Sequence, residues 1–82
     1  MAIKDGDIVE VSWLDAELKP DNIPDDIGKT TPVPERKNVG YWVGGDDSAV
    51  RLAFGISHND PRVWDTVIII PQAVVTHMTV IE

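Results

Sequence analysis

The segment Asp7-Ile8-Val9-Glu10-Val11-Ser12-Trp13 places Val9, Val11 and Trp13 at alternate positions. A two-residue period puts them on one side of an extended chain, so the segment predicts a strand with one buried face. Gly6, just before it, suits a turn into the sheet. Residues 15–37 then change character and hold four of the six prolines: Pro20, Pro24, Pro32 and Pro34. Proline has no amide proton to give a ladder or a helix, so this stretch predicts a long polar loop with no regular element running through it. A single helical turn over residues 14–18 fits before Pro20. So long a connection in a compact domain reads either as a functional excursion or as a loop of no special role.

Alternation returns at Asn38, with Val39, Tyr41 and Val43 on one face and Gly40, Trp42 and Gly44 on the other. This reading turns Trp42 outward. Gly44-Gly45-Asp46-Asp47-Ser48 supplies the residues of a tight reversal, and Val50, Leu52 and Phe54 then alternate against Ala49, Arg51 and Ala53. Together these segments predict a hairpin. Residues 55–62 are turn chemistry, and Trp64 opens the next strand. Thr66-Val67-Ile68-Ile69-Ile70 is apolar at consecutive positions and β-branched, which predicts a strand shielded on both faces. In so short a chain, only a closed or strongly curved sheet, or a subunit contact, gives that cover. Pro71-Gln72-Ala73-Val74 reads as one helical turn, and residues 75–81 as a last strand with Met78 and Val80 inward and His77 and Thr79 outward.

Five short strands, a long loop after the first and a one-turn 3₁₀ helix before the last describe an all-β fold, a five-stranded SH3-like small barrel over residues 1–82. Closure would shield the 67–70 run, because a closed sheet has no edges. The strings Val11-Ser12-Trp13-Leu14-Asp15-Ala16, Val39-Gly40-Tyr41-Trp42-Val43, Val50-Arg51-Leu52-Ala53 and Val67-Ile68-Ile69-Ile70-Pro71 resemble a group of small uncharacterised proteins of bacteria and their phages. The resemblance covers most of the chain outside the proline-rich loop and implies a setting in phage or mobile elements. Its strings are core strings, so it implies a fold and transfers no chemistry.

The chain has 82 residues, no cysteine and a net charge of −7. That length supports one small domain that buries about 60–65% of its unfolded surface. Without cysteine there are no disulfides, thiol nucleophiles or cysteine-held zinc, which fits a reducing cytoplasm. No apolar run is long enough for a signal peptide or a membrane span. The acid excess argues against binding to nucleic acid or anionic lipid, where lysine and arginine supply the affinity.

No catalytic group stands out. His58 lies in a turn beside Ser57, His77 faces outward, and neither sits in a nucleophile or metal motif. Asp46-Asp47 and His58-Asn59-Asp60 lack the spacing of a calcium loop, and no Walker or Gly-x-Gly-x-x-Gly sequence points to a cofactor. The remaining candidates are for binding: Trp42 and Trp64, with Arg36, Arg51 and Arg62 able to converge beside an indole and clamp a phosphate. Trp42 is either an exposed interface anchor or a ring covered by the folded-back loop. The leading expectation is a non-catalytic module that contacts another protein or itself, with a homodimer formed through the 67–70 or 75–81 strand. The alternatives are sequestration of a small anionic ligand such as a signalling nucleotide, and acidic mimicry of nucleic acid.

Overall fold

Val9 and Val11 are both fully buried, and the strand that carries them, β1 (Ile8–Leu14), lies one place in from the edge of a five-stranded antiparallel sheet in the computed structural model. The structure describes residues 2–16 and 22–82. The other strands are β2 (Glu35–Gly45), β3 (Ala49–Ser57), β4 (Val63–Pro71) and β5 (Val75–Val80). Their order across the sheet is β4-β3-β2-β1-β5, so the last strand returns to lie beside the first. A 3₁₀ turn, Gln72–Val74, makes that return after Pro71. The fold is all-β, and β4 and β5 are the two edges of the sheet. The molecule is elongated, 55 × 26 × 21 Å. No helix among the described residues is long and apolar enough to cross a membrane.

The turn into β1 needs its glycine. Asp7 N–H donates to Lys4 O at 3.0 Å, and Gly6 sits at φ +85°, where other side chains clash with their own backbone. Within the long connection the expectation of no regular element fails: α1 (Asp25–Thr30) forms between Pro24 and Pro32. Pro24 flanks the helix instead of interrupting it, Asp25 and Asp26 occupy its first turn, and Lys29 bridges to Asp25 at 3.0 Å. None of its residues is buried. The helical turn expected over residues 14–18 does not form at its start, since Leu14 ends β1 and Asp15 and Ala16 are irregular; its remainder lies outside the described residues.

The core lies on one side of the sheet, where Trp42 packs with Val9, Val11, Val50, Leu52 and Ile70. Trp42 is only 8% exposed. The outward placement expected from alternation is therefore inverted, and Val39 is exposed instead. Glycine explains the inversion. A Cβ on Gly45 would stand 2.8 Å from Trp42 Cη2 and Cζ2, so the bare backbone there makes room for the indole. A bulge at Val43, between the Trp42↔Leu52 and Gly44↔Arg51 pairs, then shifts the register of β2 against β3.

Gly40 has a separate role. A Cβ there would fall 2.7 Å from Ala53 O and 3.1 Å from Leu52 Cβ, so β2 and β3 meet closely at this point. Beyond it they part. β2 pairs with β1 from Glu35 to Tyr41 but with β3 only from Tyr41 to Gly45. Phe54, which alternation puts on the face of Val50 and Leu52, lies just past the end of that shared ladder and is 52% exposed.

The 67–70 run is not shielded on both faces. Ile70 is buried, but Val67 is 41% and Ile69 62% exposed, because β4 is an edge strand and its outer side chains have nothing stacked on them. Thr66, also in β4, has φ +51°, an unfavourable backbone for a β-branched residue.

Two substitutions check this account. Gly45→Ala drives a methyl into the Trp42 ring and is expected to cost about 1–3 kcal/mol in urea unfolding, the range of core overpacking. Gly44→Ala, with nothing within 4 Å of the new carbon, serves as the near-neutral control. Thr66→Asn substitutes a residue that tolerates left-handed backbone and is expected to gain about 1 kcal/mol, a rise of several degrees in Tm. A fall in Tm would mean that Thr66 is held by contacts that outweigh its strain.

Candidate functional site

The reversal between β2 and β3 is built by one carboxylate. Asp46 Oδ1 accepts from Ser48 N–H and Ser48 Oγ, both at 2.8 Å, and from Ala49 N–H at 3.0 Å. Its Oδ2 accepts from Arg51 Nη1 at 3.3 Å. The Ser48 hydroxyl, then the two amides, then the Arg51 charge hold the Asp46 carboxyl well below its usual value of 3.8. Asp46 also stands at the rim of an open concavity of about 360 Å³ beside Trp42, floored by Ile3, Val50 and Met78 and bordered by Gln72.

The five candidate residues fall in different places. Trp42 is a core residue whose ring edge reaches that concavity. Arg51 is tied to Asp46 across the turn, and Arg36 Nε is 3.4 Å from Asp15 Oδ2 at the other end of β2. Arg51 pairs with Gly44, so eight residue steps of β2, roughly 26 Å of extended strand, separate the backbone positions that carry the two guanidinium groups. Arg36 and Arg51 therefore do not converge on one anion. Arg62 instead stacks over Trp64, with its guanidinium carbon 5.4 Å from the ring centroid. Arg62 and Trp64 are the one candidate pair that the structure brings together.

This pair sits near the tip of the β3–β4 hairpin, where the sequence reading missed the more telling residues. Phe54, Val63, Val67 and Ile69 are all exposed on this one hairpin, Val63 by 49%. Trp64 lies opposite Ile56, and Val67 opposite Ala53. The signal that could have found them is positional. Alternation assigns Val67 and Ile69 to the same face as Arg51, and only the expectation of a closed sheet hid that they are uncovered.

A smaller concavity, about 250 Å³, lies within the long connection between Asp15, Ala16 and the stretch Thr31, Pro32, Val33 and Pro34. His58 and His77 are both exposed. Among the described residues, no three His, Asp or Glu side chains group closely enough to hold a metal ion. What the hairpin can do chemically is present aliphatic area on one face, from Val63, Val67 and Ile69, and aromatic area with a stacked cation on the other, from Phe54, Trp64 and Arg62.

No family model, curated protein or solved structure matches this chain.

The Asp46 carboxyl gives a pH test with a defined sign. Its folded value is depressed, so ionised Asp46 stabilises the fold in full above the unfolded value of 3.8, and that contribution is lost progressively as pH falls from there through the depressed folded value. Urea midpoints of the wild type and Asp46→Asn are therefore expected to differ by a constant amount from pH 7 to 5 and to draw steadily closer as pH falls below ~4. A gap of the same size at pH ~5 and pH ~2.5 would assign the effect to turn geometry instead of charge.

Proposed function

We propose that this chain is a non-catalytic protein-binding module, with the small-barrel plan of SH3-like domains, working in the cytoplasm in a bacterial or phage setting. The plan is supported by the return of β5 beside β1, the long connection after β1 and the 3₁₀ turn before β5. The observation that carries the binding reading is the exposure of Phe54, Val63, Val67 and Ile69 on one hairpin. Val63, Val67 and Ile69 share one face, Phe54 and the arginine-capped Trp64 the other, and apolar area of this kind gains stability when a partner covers it. The partner is another protein or a second copy of this chain.

Capture of a small anionic ligand fits less well. The concavity beside Trp42 has the volume, but its rim carries the Asp46 carboxylate, and Arg51 is already engaged with that group. Acidic mimicry of nucleic acid rests on the net charge of −7 alone, which solubility also explains.

The test is affinity capture from a bacterial lysate with the wild type and with the double variant Phe54→Ser/Ile69→Ser, alongside thermal-shift measurements with a nucleotide panel. Both replaced side chains are exposed, so the variant is expected to fold while losing the captured protein. Capture unaffected by the variant, or a nucleotide that raises Tm in proportion to its concentration, would sink the reading.

A further inference from the structure

The two edges of the sheet differ in how they meet solvent. β5 has six residues, carries the polar Thr76, His77 and Thr79, and is kinked where Thr76 is passed over in the register against β1. Bulges and polar side chains are devices by which natural edges resist further pairing. β4 has nine residues, no lysine, and an unbroken apolar run from Val67 to Ile70.

The direction of its free backbone groups follows from the ladder. Gln72 N–H donates to Ser48 O at 2.9 Å, and β3 and β4 then pair without a shift from Ala49↔Pro71 to Ser57↔Val63. In an antiparallel pair, alternate residues bond to the partner strand. Ile70, Ile68 and Trp64 therefore bond to β3, the Phe54↔Thr66 pair being missing from the ladder, and Asp65, Val67 and Ile69 aim their N–H and C=O groups at the open edge. Pro71 agrees with this phase, because its missing N–H falls on the edge side, where proline is tolerated.

The same three residues present their side chains on the uncovered face. Val67 and Ile69 are exposed, and Asp65 lies across Gly55, where a Cβ would meet Asp65 Oδ2 at 3.0 Å. A docking strand would thus find hydrogen-bonding groups in register with two apolar side chains and a carboxylate, on a chain of net charge −7.

On the binding-module reading above, we propose that the edge of β4 accepts an extended segment of a partner protein as a sixth strand, with two apolar residues beside Ile69 and Val67 and a lysine or arginine beside Asp65. Charge selects this occupant over a second copy, which would bring another −7 and a second Asp65 to the same edge. Antiparallel docking places the basic residue four positions after the first apolar one. Thr66, with its left-handed backbone, separates the apolar part of the site from its acidic end.

The test uses the full ¹⁵N-labelled chain and the capped peptide Thr-Val-Thr-Val-Thr-Lys-Thr, with a glutamate-for-lysine peptide as control. The lysine peptide is expected to shift the amides of Val67 and Ile69 to saturation, several-fold more tightly than the glutamate peptide and more weakly at high salt. Asp65→Lys, at an exposed position, should reverse the preference, and Ile69→Lys should abolish docking while leaving the rest of the spectrum in place. Equal affinity for both peptides, or shifts confined to β5 or to the surroundings of Trp42, would overturn the proposal. Concentration-dependent shifts of β4 amides without peptide, with a dimer in sedimentation, would overturn it in favour of a second copy. If the peptides fail while lysate capture still depends on Phe54 and Ile69, the edge site alone is wrong; if capture fails too, the binding-module reading falls with it.

Discussion

A sheet has two faces, and this chain has apolar volume for one. That constraint organises the rest of the molecule. The covered face is assembled around a single indole, Trp42, with valine, leucine and isoleucine side chains from β1, β3 and β4 against it. In so thin a core the largest side chain decides where the others sit. The chain makes space for it with a backbone position that has no side chain at all, Gly45. Exposure of Val67 and Ile69 on the opposite face is the complement of that choice.

Local polar chemistry does what the core is too small to do. One aspartate, Asp46, closes the β2–β3 reversal with three bonds to a single oxygen and ties Arg51 with the other. Trp13 Nε1 donates to Asn38 Oδ1 at 2.8 Å, so its half-buried indole keeps its polar atom satisfied between β1 and β2. Thr76 Oγ1 donates to Ser12 O at 3.2 Å, where β5 skips a residue against β1. These bonds sit at register shifts and turns, the places where ladder bonding is interrupted.

Much of this was legible in the sequence, and the failures share a cause. Strand positions, the Asp46 reversal, the Gly6 turn and the short turn after Pro71 all follow from residues whose local preference and tertiary role agree. Trp42 misled because alternation ranks a face by its number of apolar residues, and Val39, Tyr41 and Val43 outnumber one tryptophan between two glycines. Volume overruled number. The 67–70 run misled because consecutive apolar residues imply cover, whereas a strand at an edge can carry the same composition uncovered. In the proline-rich stretch, the prolines bracket α1 without entering it, so a signal taken to forbid structure was marking its ends. For the site, Arg62 beside Trp64 was within reach of the sequence, since both lie at one hairpin tip. The separation of Arg36 from Arg51 depended on register and was not.

The parting of β2 from β3 beyond Ala53 has a mechanical result. From Gly55 to Ser57 and from Val63 to Asp65, the two strands of the hairpin are laddered only to each other, with Ile56 reaching the Gly6 turn, while the base of the hairpin is locked into the sheet by Leu52 and Ile70. This outer half is a cantilever clamped at one end. With ladder bonds on one side only, it has fewer interactions to break than the base, so opening of the hairpin starts at the tip that carries Arg62 and Trp64 and ends at the clamp.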